Sequence, residues 1–379
     1  MSGVPRYVRA RLVVLAATVL FAAVPAAEAR PQLGLADDLA FVDSRAGPRL
    51  AAFQAAHAVG ARTVRLTLDW SAVAPDAASK PAGFDAADPA SPFYRWGYIE
   101  DAVRDAAASH LRVVLTVIRA PRWAEATPRR RSASPGTWRP DPRELARFVR
   151  AAARRFSGFF PDPKQSGDGL TTPGRSLPQV RHWQIWDEPN RSSTLGPPSA
   201  RHYRALLNAA AHALRRVSHE NVVVAGGTAS GGAVAFWRRL LCLGPRGCRM
   251  TPDFDVLAHN PVHGRAPISS RRLALLGRAL REARGRGPKI WLTDLSWPTP
   301  PLAPRGVSPR RAARNLRISL SRAAAEPSVR LVIWEGLQDR RTYLPGRFPT
   351  IASGLYERGA DIMSAVPKPA LRAFRTFLR

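Results

Sequence analysis

The chain has 379 residues, 45% of them apolar, and a formal net charge of +30. That apolar share supplies a large core and excludes a disordered chain. Only four lysines occur (Lys80, Lys164, Lys289 and Lys368), so the basicity is almost all arginine. A high-GC coding bias is the plainer reading of that excess. The functional alternative is an acidic partner: a uronic-acid polymer, a wall phosphate polymer or an anionic membrane surface. The arginines are spread over nearly every helix rather than gathered in one stripe, which argues against nucleic acid.

Residues 1–29 read as a signal peptide. Arg6, Arg9 and Arg11 form a basic start, and 12–24 is an apolar run too short for a comfortable membrane span. Ala27-Glu28-Ala29 is a small-x-small cleavage site. The expected mature chain begins near Arg30 and is secreted or held at the cell surface; an uncleaved N-terminal anchor is the alternative. No later segment carries a spanning apolar run, so no stable membrane insertion is expected, and a monomer is the expected state.

From residue 32 short apolar strands alternate with amphipathic helices. Strands are expected at 32–36, 63–68, 112–118, 180–186, 221–225, 254–259, 290–293 and 329–334. Helices are expected between them at 49–59, 98–110, 142–156, 200–217, 233–241, 271–284 and 310–324, with 369–378 closing the chain. Pro142 opens the third helix, where its missing N–H costs little. Eight strands alternating with eight helices predict an α/β fold with a parallel sheet closed on itself. That is a (β/α)8 or TIM barrel, one catalytic domain over 30–379. A doubly wound open sheet would ordinarily show a Gly-rich phosphate turn after a strand, and none is present. The loops 127–141, 297–309 and 339–353 follow strands and so lie on the catalytic face. They carry Arg129, Arg130, Arg131, Arg305, Arg340, Arg341 and Arg347.

Cys242 and Cys248 are a close pair in a chain read as exported, which points to a disulfide. The loop it closes is short, so it contributes only about 2 kcal/mol. No His or further Cys completes a metal ligand set, and no metal or organic cofactor is expected.

Two strands end in carboxylates. The fourth ends in Trp186-Asp187-Glu188-Pro189-Asn190 and the seventh in Thr293-Asp294. Carboxyl ends of barrel strands face the active-site mouth, and two carboxylates from distant parts of a chain are what glycoside hydrolysis requires. The expected substrate is a polysaccharide or glycoside.

These segments resemble motifs of the clan A glycoside hydrolases, and families 39 and 5 most. Trp186 to Asn190 resembles the W-N-E-P-N element. Trp291-Leu292-Thr293-Asp294-Leu295-Ser296-Trp297 resembles W-x-T-E-x-G-W. Val64-Arg65 with Trp70 resembles the strand-two Arg and Trp. His259-Asn260-Pro261 resembles the strand-six element, and Trp334 the strand-eight Trp. Ser353-Gly354-Leu355 and Lys368-Pro369-Ala370 resemble the usual ending. The resemblance implies a (β/α)8 enzyme with Glu188 as acid/base and Asp294 as nucleophile, or as base if the reaction inverts. It implies substrate contacts from Arg65, Asp187, His259, Trp334 and Trp70. Plainer readings stand beside these: Arg65 as a partner of Asp69, Trp70 as barrel packing, Glu335 and Asp339 as structural or rim residues. Three positions depart from the pattern. Asp187 replaces Asn, Asp294 replaces Glu, and Val262 replaces a Tyr that would orient the nucleophile. They favour the rival reading, a carbohydrate-binding barrel that has lost catalysis.

Overall fold

The computed structural model describes residues 30–165, 174–245, 247–261, 264–285, 287, 289–340 and 352–378. The leader at 1–29 lies outside the described residues, as do Val262, Arg341 and Arg347. The apolar runs form β1 (Gln32–Ala36), β2 (Thr63–Asp69), β3 (Arg112–Ile118) and β4 (His182–Asp187). They continue as β5 (Val222–Ala229), β6 (Val256–Asn260), β7 (Lys289–Leu295) and β8 (Val329–Glu335). Each strand pairs in parallel with its sequence neighbour, and β8 returns to β1 with Ala36 opposite Glu335. The expected (β/α)8 barrel is the observed fold.

The helices are α1 (Asp38–Phe41), α2 (Ala46–Ala58), α3 (Trp70–Val73), α4 (Gly97–Ala108) and α5 (Pro142–Arg155). They are followed by α6 (Ala200–Val217), α7 (Ala233–Leu240), α8 (Ser270–Arg284), α9 (Pro309–Ala324) and α10 (Pro369–Phe377). The short α1 and α3 were not expected, because four residues carry no readable period. Each is set instead by an Asp cap: Asp37 accepts from the Ala40 N–H at 3.0 Å, and Asp69 from the Ser71 N–H at 3.1 Å. Among the described residues no helix is long and apolar enough to cross a membrane. Cys242 and Cys248 are bonded, with Cα atoms 5.3 Å apart.

Strand alternation divides the apolar residues into two groups. Ala36, Val114, Val224, Val256, Ala258, Trp291, Leu331 and Ile333 fill the barrel interior. Their strand neighbours, such as Leu35, Leu115, Ile185, Leu257 and Val332, join the larger core under the helices. This register decides which strand-end residues reach the mouth.

Two buried polar clasps close the barrel. Asp37, just past β1, accepts from the Leu337 N–H at 2.9 Å and the Gln338 N–H at 3.2 Å, stitching the first strand to the last. Lys368, at the start of α10, donates to both oxygens of Asp339 at 3.0 and 2.8 Å and to Thr299 Oγ1 at 2.6 Å. Lys368 and Asp339 side chains are 3% and 4% exposed, so Asp339 is structural and the Lys-Pro-Ala ending is a fastening. Lys368→Ala would leave a buried carboxylate unpaired, an expected loss of about 3–5 kcal/mol. Urea unfolding measures it, and a loss below about 1 kcal/mol would show that the clasp bears little weight.

Candidate functional site

Regular alternation in β4 would send Trp186 inward with Gln184 and turn Asp187 away. Trp186 has φ 68° and Glu188 φ 44°, both left-handed. The turn puts Trp186 into the outer core at 1% exposure and brings Asp187 into the mouth beside Gln184. Such conformations cost about 1–3 kcal/mol each in a non-glycine residue and need surroundings that hold them. The Trp186 indole N–H donates to the Thr194 carbonyl at 2.8 Å. The Glu188 N–H donates to the Gly227 carbonyl at 2.8 Å. Tyr203 of α6 donates to the Ile185 carbonyl at 2.7 Å and accepts from the Gly226 N–H. Asn190 donates to the carbonyls of Ala229 and Gly231 at 2.9 and 2.8 Å and accepts from the Ala229 N–H at 2.9 Å. The carboxylate-bearing loop is thus bolted to the end of β5.

Two glycines make that approach possible. A Cβ on Gly226 would stand 2.6 Å from the Trp186 carbonyl oxygen. A Cβ on Gly227 would stand 2.4 Å from Asn260 Oδ1, 2.7 Å from Thr293 Oγ1 and 2.9 Å from Asp187 Oδ1. The space it would take is that of a polar chain across the mouth. Thr293 donates to Asn260 Oδ1 at 2.9 Å, which aims the Asn260 amide N–H at Asp187 Oδ1, 3.3 Å away. Gln184 donates to the same oxygen at 3.2 Å.

Arg65 supplies the positive charge of the floor. It is 9% exposed, its Nη1 lies 3.9 Å from Asp187 Oδ2, and it also faces Glu335, Asp294 and Asp38. The expected alternative partner, Asp69, is taken by Arg119 at 2.5 Å. Burial pushes the Asp187 carboxyl up to about 7 against the pull of Arg65, with Glu188 and Asp294 adding to the rise. Its side chain keeps 27% of its surface open to the mouth. Burial also raises Glu188; Arg191, 3.2 Å away, opposes the rise and Asp294 adds to it. Glu335 is raised well above its ordinary value, first by the Asp294 charge and then by burial. Asp294 reaches the mouth where β7 and β8 lose regular register between Leu292 and Leu295.

The structure therefore brings Arg65, Asp187, Glu188 and Asp294 together. It places the other three expected site residues elsewhere. Trp70 is fully buried, stacked on Phe148 with centroids 5.5 Å apart. Trp334 is 1% exposed and donates to the Ser353 carbonyl at 2.9 Å. His259 is fully buried, its ring edge-on to Trp237 at 4.7 Å and Nδ1 2.7 Å from the Thr228 carbonyl oxygen. Burial holds its imidazole neutral, with a pKa of about 3. His259 and Trp334 belong to the outward set of their strands, so neither ring opens on the mouth. Gln184, Asn260 and Thr293 also line this mouth without having been singled out in the amino-acid sequence, and Glu335, expected as a structural or rim residue, joins them. Period two was the available signal: Ala258 and Ile333 point inward, and so do Asn260 and Glu335, two places on. Among the described residues no group of three or more His, Cys, Asp or Glu is arranged to hold a metal ion.

No protein-family model matches the chain, and no curated protein matches it. Solved structures do, and those described here are glycoside hydrolases. A family 39 glycoside hydrolase from Bacteroides cellulosilyticus WH2 has TM-score 0.58 and 16% identity, over 92% of this chain and 64% of that one. The family 39 enzyme from Xanthomonas axonopodis pv. citri has TM-score 0.60 and 14% identity, over 91% and 65%. A family 5 structure from Streptomyces cattleya in complex with GlcNAc has TM-score 0.55 and 17% identity, over 92% and 80%. The chain spans a little under two thirds of the two family 39 structures. At these identities the likeness is one of fold: the barrel is the one those glycoside hydrolases share.

The Asp187 shift fixes a sign. A carboxyl whose folded pKa is raised, here from 3.8 to about 7, binds more protons folded than unfolded. Its contribution to stability therefore falls as pH rises from near 4 to above 7. The stability of Asp187→Asn relative to wild type is expected to grow between about pH 4.5 and about pH 8. Denaturant midpoints at the two pH values measure it, and a difference that stays flat or shrinks would contradict the shift.

Proposed function

We propose that this chain is an exported glycoside hydrolase that cleaves O-glycosidic bonds in a polysaccharide or glycoside. The observation that carries the reading is the meeting of Glu188, from the end of β4, with Asp294, from the end of β7. They share one mouth with Arg65 and Asn260, on a barrel whose solved neighbours are glycoside hydrolases. Glu188 is the general acid. Its burial favours the protonated form, and it gives that proton to the leaving glycosidic oxygen. Asp294 is the nucleophile if the reaction retains configuration, or the base that takes a proton from water if it inverts.

Arg65 and Asp187 bind the sugar in this reading. A carboxyl that titrates near 7 both donates and accepts hydrogen bonds at neutral pH, so Asp187 suits a sugar hydroxyl whichever way it points. Trp70, His259 and Trp334 support the mouth from behind. The exposed arginines of the strand-to-helix loops, Arg130, Arg131 and Arg305, favour an anionic glycan at the rim; Arg129 is instead paired with Glu125 at 2.9 Å. Export rests on the leader read at 1–29, and the disulfide agrees with it. A second reading, a glycan-binding barrel without turnover, is favoured by Asp294, one methylene shorter than the expected Glu.

Reducing-end release from neutral and uronic-acid polysaccharides separates the two. Glu188→Gln and Asp294→Asn are each expected to lower kcat by about 100- to 10 000-fold with the fold unchanged. Glycan binding without release by the wild type would establish the binding barrel instead.

A further inference from the structure

We propose that Trp138, Arg130 and Arg139 form a binding site on the rim of the barrel mouth for an anionic sugar unit, one that carries a carboxylate or a sulfate. The inference rests on the reading of this mouth as a glycan site and places the charge of that glycan at named residues. The three residues lie between β3 and α5, in a loop that follows a strand and so stands on the catalytic face. Arg130 and Arg139 are exposed, and each holds its guanidinium over the half-buried Trp138 ring, 5.8 and 5.5 Å from the centroid. One indole thus gathers two cations that would otherwise repel each other apart.

The ring is held in place. The Trp138 backbone N–H donates to Glu125 Oε1 at 2.7 Å, and its indole N–H donates to the Pro128 carbonyl at 3.1 Å. The Glu125 side chain is 3% exposed and its other oxygen accepts from Arg129 at 2.9 Å, so that acid is engaged inside the loop. The loop is also tied to the segment that follows Glu188. The Gly196 N–H donates to the Thr137 carbonyl at 2.8 Å, and the Arg139 N–H donates to the Gly196 carbonyl at 3.0 Å. Arg139 itself has φ 41°, a left-handed backbone that needs such ties to persist.

The remaining charges point to the ligand. Arg119 is paired with Asp69, Arg129 with Glu125 and Arg191 with Glu188. Among the described residues Arg130 and Arg139 form an ion pair with no carboxylate. The acid nearest Arg139 along the chain, Asp141, turns Oδ1 to the Arg143 and Glu144 N–H groups that open α5, at 2.7 and 3.1 Å. Two guanidiniums without an acid, side by side on one ring, present forked donors to a carboxylate or sulfate. A neutral sugar offers them hydroxyl groups alone.

Calorimetry on the full chain measures the site. The probes are oligosaccharides of galacturonic acid, of mannuronic acid and of a sulfated galactan, each beside its neutral methyl ester or desulfated form. The wild type is expected to bind at least one acidic probe about tenfold or more tighter than its neutral form. Arg130→Gln with Arg139→Gln is expected to weaken that probe by about 10- to 100-fold and to leave the neutral form within about twofold. Trp138→Ala is expected to weaken it by about 3- to 30-fold, because the two guanidiniums lose their post. Arg278→Gln with Arg317→Gln removes the same charge from exposed positions on α8 and α9 and is expected within about twofold of wild type. Preference for a uronate names the carboxylate as the ligand group, and preference for the galactan names the sulfate. Equal affinity for every acidic and neutral pair, or a loss in the α8 and α9 control as large as in the rim variant, overturns the proposal. Absence of turnover overturns the hydrolase reading alone, since the binding ratios decide the rim site without it.

Discussion

One guanidinium faces several acids on the floor of this barrel. Arg65 lies among Asp187, Asp294, Glu335 and Asp38, with Glu188 a step further out. A single cation cannot hold all of them ionised in a partly dry site, because like charges at close range push one another toward the acid form. The site therefore divides its carboxyl groups by environment. Asp38 is engaged by the Thr67 backbone N–H at 3.0 Å and by its hydroxyl. Asp187 sits near neutrality, Glu188 is raised, and Glu335 is raised further beside Asp294. Pairs of acids driven apart in this way are the arrangement from which acid and base roles are drawn.

That division depends on a local distortion and on what holds it. The left-handed backbone at Trp186 and Glu188 turns β4 so that consecutive residues, Asp187 and Glu188, both serve the mouth. Gly226 and Gly227 let β5 come close enough to receive them, and Tyr203 and Asn190 tie the two strand ends. The wider basicity of the chain does much of its work away from the floor. Arg49 pairs with Asp105 at 2.7 Å, Arg104 with Asp162 at 2.6 Å and Arg155 with Glu100 at 2.5 Å. Arg322 and Arg284 donate to the carbonyls of Ile268 and Phe254 at 2.7 and 2.9 Å. Arginine suits such posts because its fork can meet several acceptors at once. A high net charge is thus compatible with an acidic mouth.

The strand–helix rhythm made the barrel legible in the amino-acid sequence, and the strand-end acids marked Glu188 and Asp294 as neighbours across it. What motif likeness did not supply was the direction of individual side chains at strand ends. Motif likeness drew attention to His259 and Trp334, whereas their alternation sends them outward and gives the mouth to Asn260 and Glu335. Where alternation itself breaks, at Trp186 and between Leu292 and Leu295, even a careful count of twos fails. Those breaks are set by contacts from α6, β5 and β8, which lie far away along the chain. The Gly-Gly pair was the visible trace of one of them, since adjacent glycines in a strand mark a close backbone approach.

Where a sugar lies decides whether Glu188 and Asp294 are the reacting pair. Crystals of Glu188→Gln soaked with an oligosaccharide would place it directly. The expected result is a glycosidic oxygen within hydrogen-bond reach of the residue at 188, with the adjoining anomeric carbon facing Asp294 and a hydroxyl on Asp187. A sugar found only on the arginine-rich rim, with the floor carboxyl groups untouched, would contradict the account.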